Sequence, residues 1–174
     1  MLADMKKICD TERLTLRTVT LDDAPFYLTL VNDPAFIENI GDRGERTLDQ
    51  ARVALTERML AAQAKHGYSL YVVELRDGTP IGMCGLVRRA TLDCTDLGYA
   101  YLPAYRGQGY AVEAARAVLE HAQRDIGLTR LLAICFPANT GSIAVLTKLG
   151  FRFERFTHLD ATDPGTNIYS RKLP

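Results

Sequence analysis

The spacing of apolar and polar residues divides the chain into short alternating runs and longer stretches of helical period. Residues 12–19 (ERLTLRTV) alternate, as a half-buried strand does. Thr20-Leu21-Asp22-Asp23 then offers a cap and an acidic first turn for a helix reaching about Val31, which Asn32-Asp33-Pro34 stops. Thr47 followed by Gln50 forms a capping box, which predicts a second helix to about Lys65 with Gly67 as its terminator. The intervening stretch 37–46 carries Gly41 and Gly44 and reads as a loop. From Tyr68 the period changes. Residues 68–75 and 81–87 are predicted strands around the turn signal Arg76-Asp77-Gly78-Thr79-Pro80, and 94–102 is a third. An amphipathic helix follows from Tyr110 to about Arg124, with Ala111, Ala115, Val118, Leu119 and Ala122 facing inward. Its polar face offers the pairs Arg116–Glu120 and Glu120–Arg124. The nearly all-apolar run 131–136 is predicted to be a strand buried on both faces. A short helix at 140–149, ended by Gly150, leads to final strands at 151–159 and 167–172. This order describes an α/β (α+β) chain, a mixed sheet covered by helices.

Composition narrows the picture. At 174 residues, 47% hydrophobic and 24% charged, the chain can bury its own core, which excludes a disordered segment and predicts one domain over 1–174. Lys plus Arg number 21 and Asp plus Glu 21, and this balance argues against nucleic acid as a partner. No apolar stretch approaches the roughly 20 residues needed to cross a bilayer. The start, MLADMKKICDTERL, lacks the apolar block of a secretory signal, so no membrane association and a cytoplasmic location are expected. Cys9, Cys84, Cys94 and Cys135 form no C-x-x-C pair, and His66, His121 and His158 are scattered, so no metal is expected.

The chemistry is concentrated where a predicted strand runs through Arg106-Gly107-Gln108-Gly109-Tyr110-Ala111 into the amphipathic helix. Glycines at such a junction let a ligand approach the backbone, and the free N–H groups at the helix start favour an anion. A plain strand-to-helix connection is the other reading of the same two glycines. A Walker loop is excluded because no Lys follows either glycine. A dinucleotide fingerprint fails as well, because Val112 stands where its third glycine belongs and the next strand ends in Cys135-Phe136 rather than an acid.

The Arg106–Ala111 segment resembles the Q/R-x-x-G-x-G/A signature of the GNAT superfamily of N-acetyltransferases. Downstream, Asn139-Thr140-Gly141-Ser142 through Lys148-Leu149-Gly150-Phe151 is similar to the superfamily's N-x-x-S-x-x-x-L-x-K-L-G-F element. Upstream, Thr11-Glu12-Arg13-Leu14-Thr15-Leu16-Arg17 resembles the opening of the Rim-type branch, which contains ribosomal-protein N-terminal acetyltransferases. The resemblance implies a largely antiparallel mixed sheet of about six to seven strands, helices on both faces and a splayed central pair. A bulge at Gly98 is compatible with that splay.

The resemblance further implies acetyl-CoA as co-substrate and an amine acceptor, a small molecule or a protein N-terminus. It implies that Gln108, Gly109, Tyr110 and Ala111 hold the pyrophosphate on their N–H groups, with Gly107 in the turn and Arg106 at the loop entrance. The backbone of Ala100, Tyr101 and Leu102 would pair with the pantetheine arm, and an N–H near Tyr99 or Ala100 would receive the oxyanion. Ser142 matches the family's Ser and is the candidate donor to the departing thiolate, with a helix-backbone hydroxyl as the other reading. Asn139 would bind pantetheine amides, cap the following helix, or both. An amine with a pKa near 10 must lose a proton before attack. Asp96 is the candidate base, against the alternative of a solvated strand end; His158 and Glu38 are poorer choices. Tyr68, Tyr99 and Tyr169 read as core or groove walls. A catalytically silent acyl-CoA-binding regulator on the same fold is the alternative function, and a homodimer is left open by the resemblance.

Overall fold

Eight strands form one sheet in the computed structural model, which describes residues 4–174. They are β1 Lys7–Asp10, β2 Leu14–Arg17, β3 Leu70–Leu75, β4 Pro80–Val87, β5 Asp96–Tyr101, β6 Arg130–Cys135, β7 Arg152–Thr157 and β8 Thr166–Lys172. Their order is β1-β2-β3-β4-β5-β6-β8-β7, and every neighbouring pair is antiparallel except β5 with β6. Seven of these strands correspond to the predicted runs. β1 is additional: its four residues, KICD, are too few and too charged at their ends to show an alternation.

The helices are α1 Ala24–Val31, α2 Pro34–Asn39, α3 Leu48–Ala54, α4 Ala61–His66, α5 Tyr110–His121 and α6 Thr140–Lys148. α3 and α4 are one helical run joined by a wider π turn at Leu55–Leu60, opened by the Thr47/Gln50 box and ended at left-handed Gly67, φ 78°. α2 corrects the loop reading of 37–46 at its start. Asn32 ends α1, but Pro34 opens the next helix, because a first-turn proline needs no N–H acceptor and Asp33 caps Phe36 N at 3.2 Å.

Alternation along the strands sets two large core clusters on opposite faces of the sheet, and Leu92, Leu132 and Ile168 form a third, smaller one. Tyr71 and Val73 of β3 join Leu86, Val118, Leu119 and Leu131 on the α5 and α6 side. Val72 faces the other way, with Val19, Tyr27, Leu30, Leu55 and Met83 under α1 and α3. On α5, Ala114, Ala115, Val118 and Leu119 are buried, as is Ala122 in the wider turn that continues it, whereas Ala111 is only half-buried because the first turn stands at the mouth of a cleft. The predicted Arg116–Glu120–Arg124 ladder is replaced by a contact of Arg124 Nε with Asp125 at 3.2 Å. At the start of α1 a buried ion network closes the sheet edge: Arg17 meets Asp23 at 2.8 Å and Glu74 at 2.6 Å, and Asp23 accepts from Thr20 N at 2.8 Å.

The feature that positions the site lies between β5 and β6. These strands pair only at Asp96↔Leu132 and Leu97↔Ala133 and then part. No bulge at Gly98 is needed for this: β5 keeps unbroken register with β4 from Asp96↔Val87 to Tyr101↔Gly82. Gly98 serves packing instead, since a Cβ there would stand 3.2 Å from Leu70 Cδ2.

Candidate active site

The divergence of β5 and β6 opens a cleft of about 1040 Å³ that runs from the Gly107–Ala111 loop, past Tyr99 and Ser142, to the α1–α4 side of the molecule. Its parity on β5 is set by one bond. Leu102 N donates to Ile81 O at 2.9 Å, so Leu102, Ala100 and Gly98 spend their backbone groups on β4. Tyr99 and Tyr101 therefore turn their backbone groups toward the gap. This divides the predicted set: the peptide groups that face the gap belong to Tyr99 and Tyr101, and those of Ala100 and the N–H of Leu102 are occupied. Tyr101 O already accepts from Arg106 Nε at 3.0 Å.

At the mouth, Gly107 (φ 71°) and Gly109 (φ 84°) hold the left-handed conformation that admits the chain into α5. Gly109 is the N-cap and offers no side chain to the first turn of α5, so the N–H groups of that turn are available to an anion. Gln108 Nε2 donates to Ala104 O at 2.8 Å and closes the loop on itself. Arg106, expected at the entrance, is committed elsewhere: its Nη2 lies 2.6 Å from Asp33 Oδ2. The anion site is thus one of backbone groups.

Arg13, on the turn between β1 and β2, braces this loop without having been among the expected site residues. Its Nη1 donates to Gln108 O at 3.0 Å, its Nε meets Glu113 Oε2 at 2.7 Å, and its guanidinium lies 4.3 Å from the Tyr110 ring centroid. Glu113 also accepts from Thr11 Oγ1 at 2.6 Å and Arg13 N at 2.8 Å, so it ties α5 to the β1–β2 turn. Burial opposes ionisation of Glu113, and these hydrogen bonds overcome it and lower its pKa. The signal available was an Arg in the family-like opening segment; nothing local in sequence links it to a loop 95 residues on.

Ser142 and Tyr99 meet across the gap, with Oγ and the phenolic oxygen 2.7 Å apart. Burial raises the Tyr99 pKa, with the Ser142 bond pulling it back, so the pair is a protonated hydroxyl couple at neutral pH. Tyr99, read as a wall, thereby becomes a partner of the candidate donor. Asn139 Oδ1 caps α6 by accepting from Ser142 N at 3.1 Å, and its amide nitrogen stays available to the cleft. Cys135, at the end of β6, also lines the gap, and burial pushes its thiol up to about 11.

Asp96 lies at the closed end, where β5 still pairs with β6. It is fully buried, Oδ2 meets Arg89 Nε at 2.9 Å, and Oδ1 has no partner among the described residues. The reading of a solvated strand end is therefore wrong. Burial raises its pKa above the ordinary carboxylate value, against the opposing charge of Arg89, which favours the protonated carboxyl relative to a solvated one. His158 and Glu38 stand outside the cleft lining. Tyr68 and Tyr169 are core residues outside the cleft lining, and the Tyr68 hydroxyl bonds Thr95 Oγ1 at 2.7 Å. No group of three or more His, Cys, Asp or Glu among the described residues could hold a metal, and no helix there is long and apolar enough to cross a membrane.

A family model described as an acetyltransferase (GNAT) domain matches residues 13–152. YoaA, an uncharacterised N-acetyltransferase of Bacillus subtilis, is 27% identical over 98% of this chain and 99% of its own. The crystal structure of an acetyltransferase from Agrobacterium tumefaciens has a TM-score of 0.81 at 25% identity, covering 98% of this chain and 96% of that one. RimL, a ribosomal L7/L12 alpha-N-protein acetyltransferase solved in complex with coenzyme A, has a TM-score of 0.82 at 19% identity, covering 97% and 98%. At that identity RimL shares the fold alone.

Proposed function

The chain belongs to the GNAT acetyltransferase family and is an acetyl-CoA-dependent N-acetyltransferase, and from that premise we propose that it acetylates a primary amine by direct attack in the gap between β5 and β6. The observation that carries this reading is the Tyr99–Ser142 hydroxyl couple, which spans the gap between the anion-binding loop and the buried Asp96.

Acetyl-CoA, when bound, supplies the thioester carbonyl and the thiolate leaving group. The residues fit it. The left-handed N-cap at Gly109 exposes the first-turn N–H groups of Tyr110 and Ala111 to a pyrophosphate. The peptide groups of Tyr99 and the N–H of Tyr101 present the edge of β5 to pantetheine amides, and Asn139 lines the same cleft. The N–H of Tyr99 is the donor for negative charge developing on the carbonyl oxygen. Ser142 Oγ, backed by the Tyr99 hydroxyl, holds a proton for the leaving sulfur. Asp96 Oδ1 takes the proton that the ammonium must lose, directly or through water.

Thiol release from acetyl-CoA across an amine panel tests the reaction, and calorimetry with acetyl-CoA tests the site. Turnover with at least one amine above hydrolysis is expected, and Ser142→Ala is expected to lower kcat about 10- to 100-fold while acetyl-CoA affinity changes little. Binding of acetyl-CoA without turnover of any amine would leave the silent regulator as the correct reading. No binding at millimolar acetyl-CoA would refute both.

A further inference from the structure

The acceptor side of the cleft has an uneven charge balance. Three acids near it already face a cation: Asp33 meets Arg106, Glu45 meets Arg58 through Oε1 at 2.9 Å, and Asp96 meets Arg89 through Oδ2, although Glu45 Oε2 and Asp96 Oδ1 are buried without a partner among the described residues. Two more on the opposite wall are consumed by their own loop. Asp163 Oδ2 accepts from Leu159 N at 2.7 Å and Thr166 Oγ1 at 2.8 Å, and Asp160 Oδ1 accepts from Thr162 N at 2.8 Å. Among the cations, Arg88 is spent on the carbonyls of Arg89 and Leu92, at 2.9 and 2.6 Å. Lys148 lies in the last turn of α6, about two turns beyond Ser142. Arg43 is left: it lines the cleft and makes no ion pair or hydrogen bond among the described residues.

Its position is built. Arg43 sits on the loop between α2 and α3, and that loop is clipped on both sides of it. Asp42 Oδ1 accepts from Gly44 N at 2.9 Å while both Asp42 oxygens take the Arg46 guanidinium, at 2.9 and 2.7 Å. Asn32 Nδ2 pins Glu45 O to the end of α1 at 2.9 Å. The residue as a whole is exposed, yet its guanidinium is partly desolvated: burial lowers its pKa, Arg58 and Arg89 lower it as like charges, and Tyr27 and Glu45 oppose them. A cation that faces the like charges of Arg58 and Arg89 across a partly apolar cleft has an electrostatic cost that an anion would relieve.

We propose that the amine acceptor is a small molecule bearing an anionic group, a carboxylate or a phosphate, and that Arg43 binds this group and so sets acceptor specificity. The inference rests on the N-acetyltransferase reading and extends it to the substrate class. A charge-assisted contact of this kind discriminates by roughly 10- to 100-fold against an uncharged analogue.

Matched acceptors test it: β-alanine against β-alaninamide and phosphoethanolamine against ethanolamine, compared at equal concentrations of neutral amine. The anionic member of at least one pair is expected to show about tenfold higher kcat/KM or more, and the pair that responds identifies carboxylate or phosphate. Arg43→Ala is expected to erase that ratio by raising KM for the anionic member, with the KM for acetyl-CoA unchanged, and Arg43→Lys to restore part of it. Equal rates within both pairs, or a ratio untouched by Arg43→Ala, would overturn the inference while leaving the enzyme reading intact. If no amine is turned over, the enzyme reading fails, and calorimetry of β-alanine and phosphoethanolamine on the CoA-loaded chain decides the rest. Binding lost in Arg43→Ala supports the anion site, and no binding or binding indifferent to the substitution overturns it.

Discussion

Gly107 and Gly109 offer a controlled comparison within one loop. Both are left-handed, with φ of 71° and 84°. A left-handed L-residue costs about 1–2 kcal/mol, more when β-branched. Their surroundings differ. A Cβ at Gly107 meets nothing within 4 Å, whereas one at Gly109 stands 3.3 Å from Arg13 Nη2. That guanidinium is held by Gln108 O at 3.0 Å and Glu113 at 2.7 Å, so it yields only by straining the loop it supports. Gly107→Ala is therefore expected to cost about 1–2 kcal/mol of stability, from backbone strain alone. Gly109→Val is expected to cost about 2–3 kcal/mol, and a domain of this size loses roughly 2–4 °C in Tm per kcal/mol. Neither exhausts a typical stability of about 5–15 kcal/mol, so both variants should unfold cooperatively. Acetyl-CoA affinity should separate them. Two charge-assisted N–H contacts at about 1.5 kcal/mol each correspond to a loss of about 100-fold for Gly109→Val, against less than about tenfold for Gly107→Ala. Urea unfolding and calorimetry on the two variants give both numbers. Equal affinity losses would refute the role given to Arg13, and unchanged affinity in Gly109→Val would remove the α5 N-terminus from the site.

Two further predictions address the buried charges. Because the Asp96 pKa is raised in the folded chain, its share of stability is full below the ordinary carboxylate pKa of about 3.9 and is lost as pH rises through the folded value. Asp96→Asn should flatten that decline in urea titrations run upward from about pH 4, and should also abolish the acid limb of kcat/KM; a limb that persists in the variant would exclude Asp96 as the base. Removing Arg17 strands Asp23 and Glu74 in a buried site, so Arg17→Ala should destabilise by about 3–5 kcal/mol in chemical denaturation, and a loss below about 1 kcal/mol would contradict the network.

Sequence and structure agree where one local signal suffices. The Thr47/Gln50 box, the strand alternations and Gly67 each act within a few residues, and each stands where the pattern placed it. Asp33-Pro34 shows the limit of such reading, because the same dipeptide stops one helix and starts the next. The glycine loop was legible from its spacing, and Ser142 became a candidate through the family resemblance. Its coupling to Tyr99 was not: the two are 43 residues apart and meet only because β6 turns away from β5. Asp96 became the candidate base through the family resemblance, with a solvated strand end as the other reading, and its complete burial was not legible because it depends on the pairing of both neighbouring strands. Arg43 carries no motif, and only the count of which acids are already paired makes it conspicuous.

The gap between β5 and β6 also bears on solubility and selectivity. A strand edge with unpaired N–H and C=O groups is ordinarily a place where other chains add on and aggregation begins. The outer edges here, β1 and β7, are at the surface, whereas the edge of β5 from Gly98 onward lies between two halves of one sheet. A folded strand that tried to add there would need its own two neighbours and their side chains to enter with it, and the flanking β6 excludes them. A single thin chain with spaced amides passes the same restriction. The protein thus keeps an adhesive edge permanently available while admitting only ligands one strand wide.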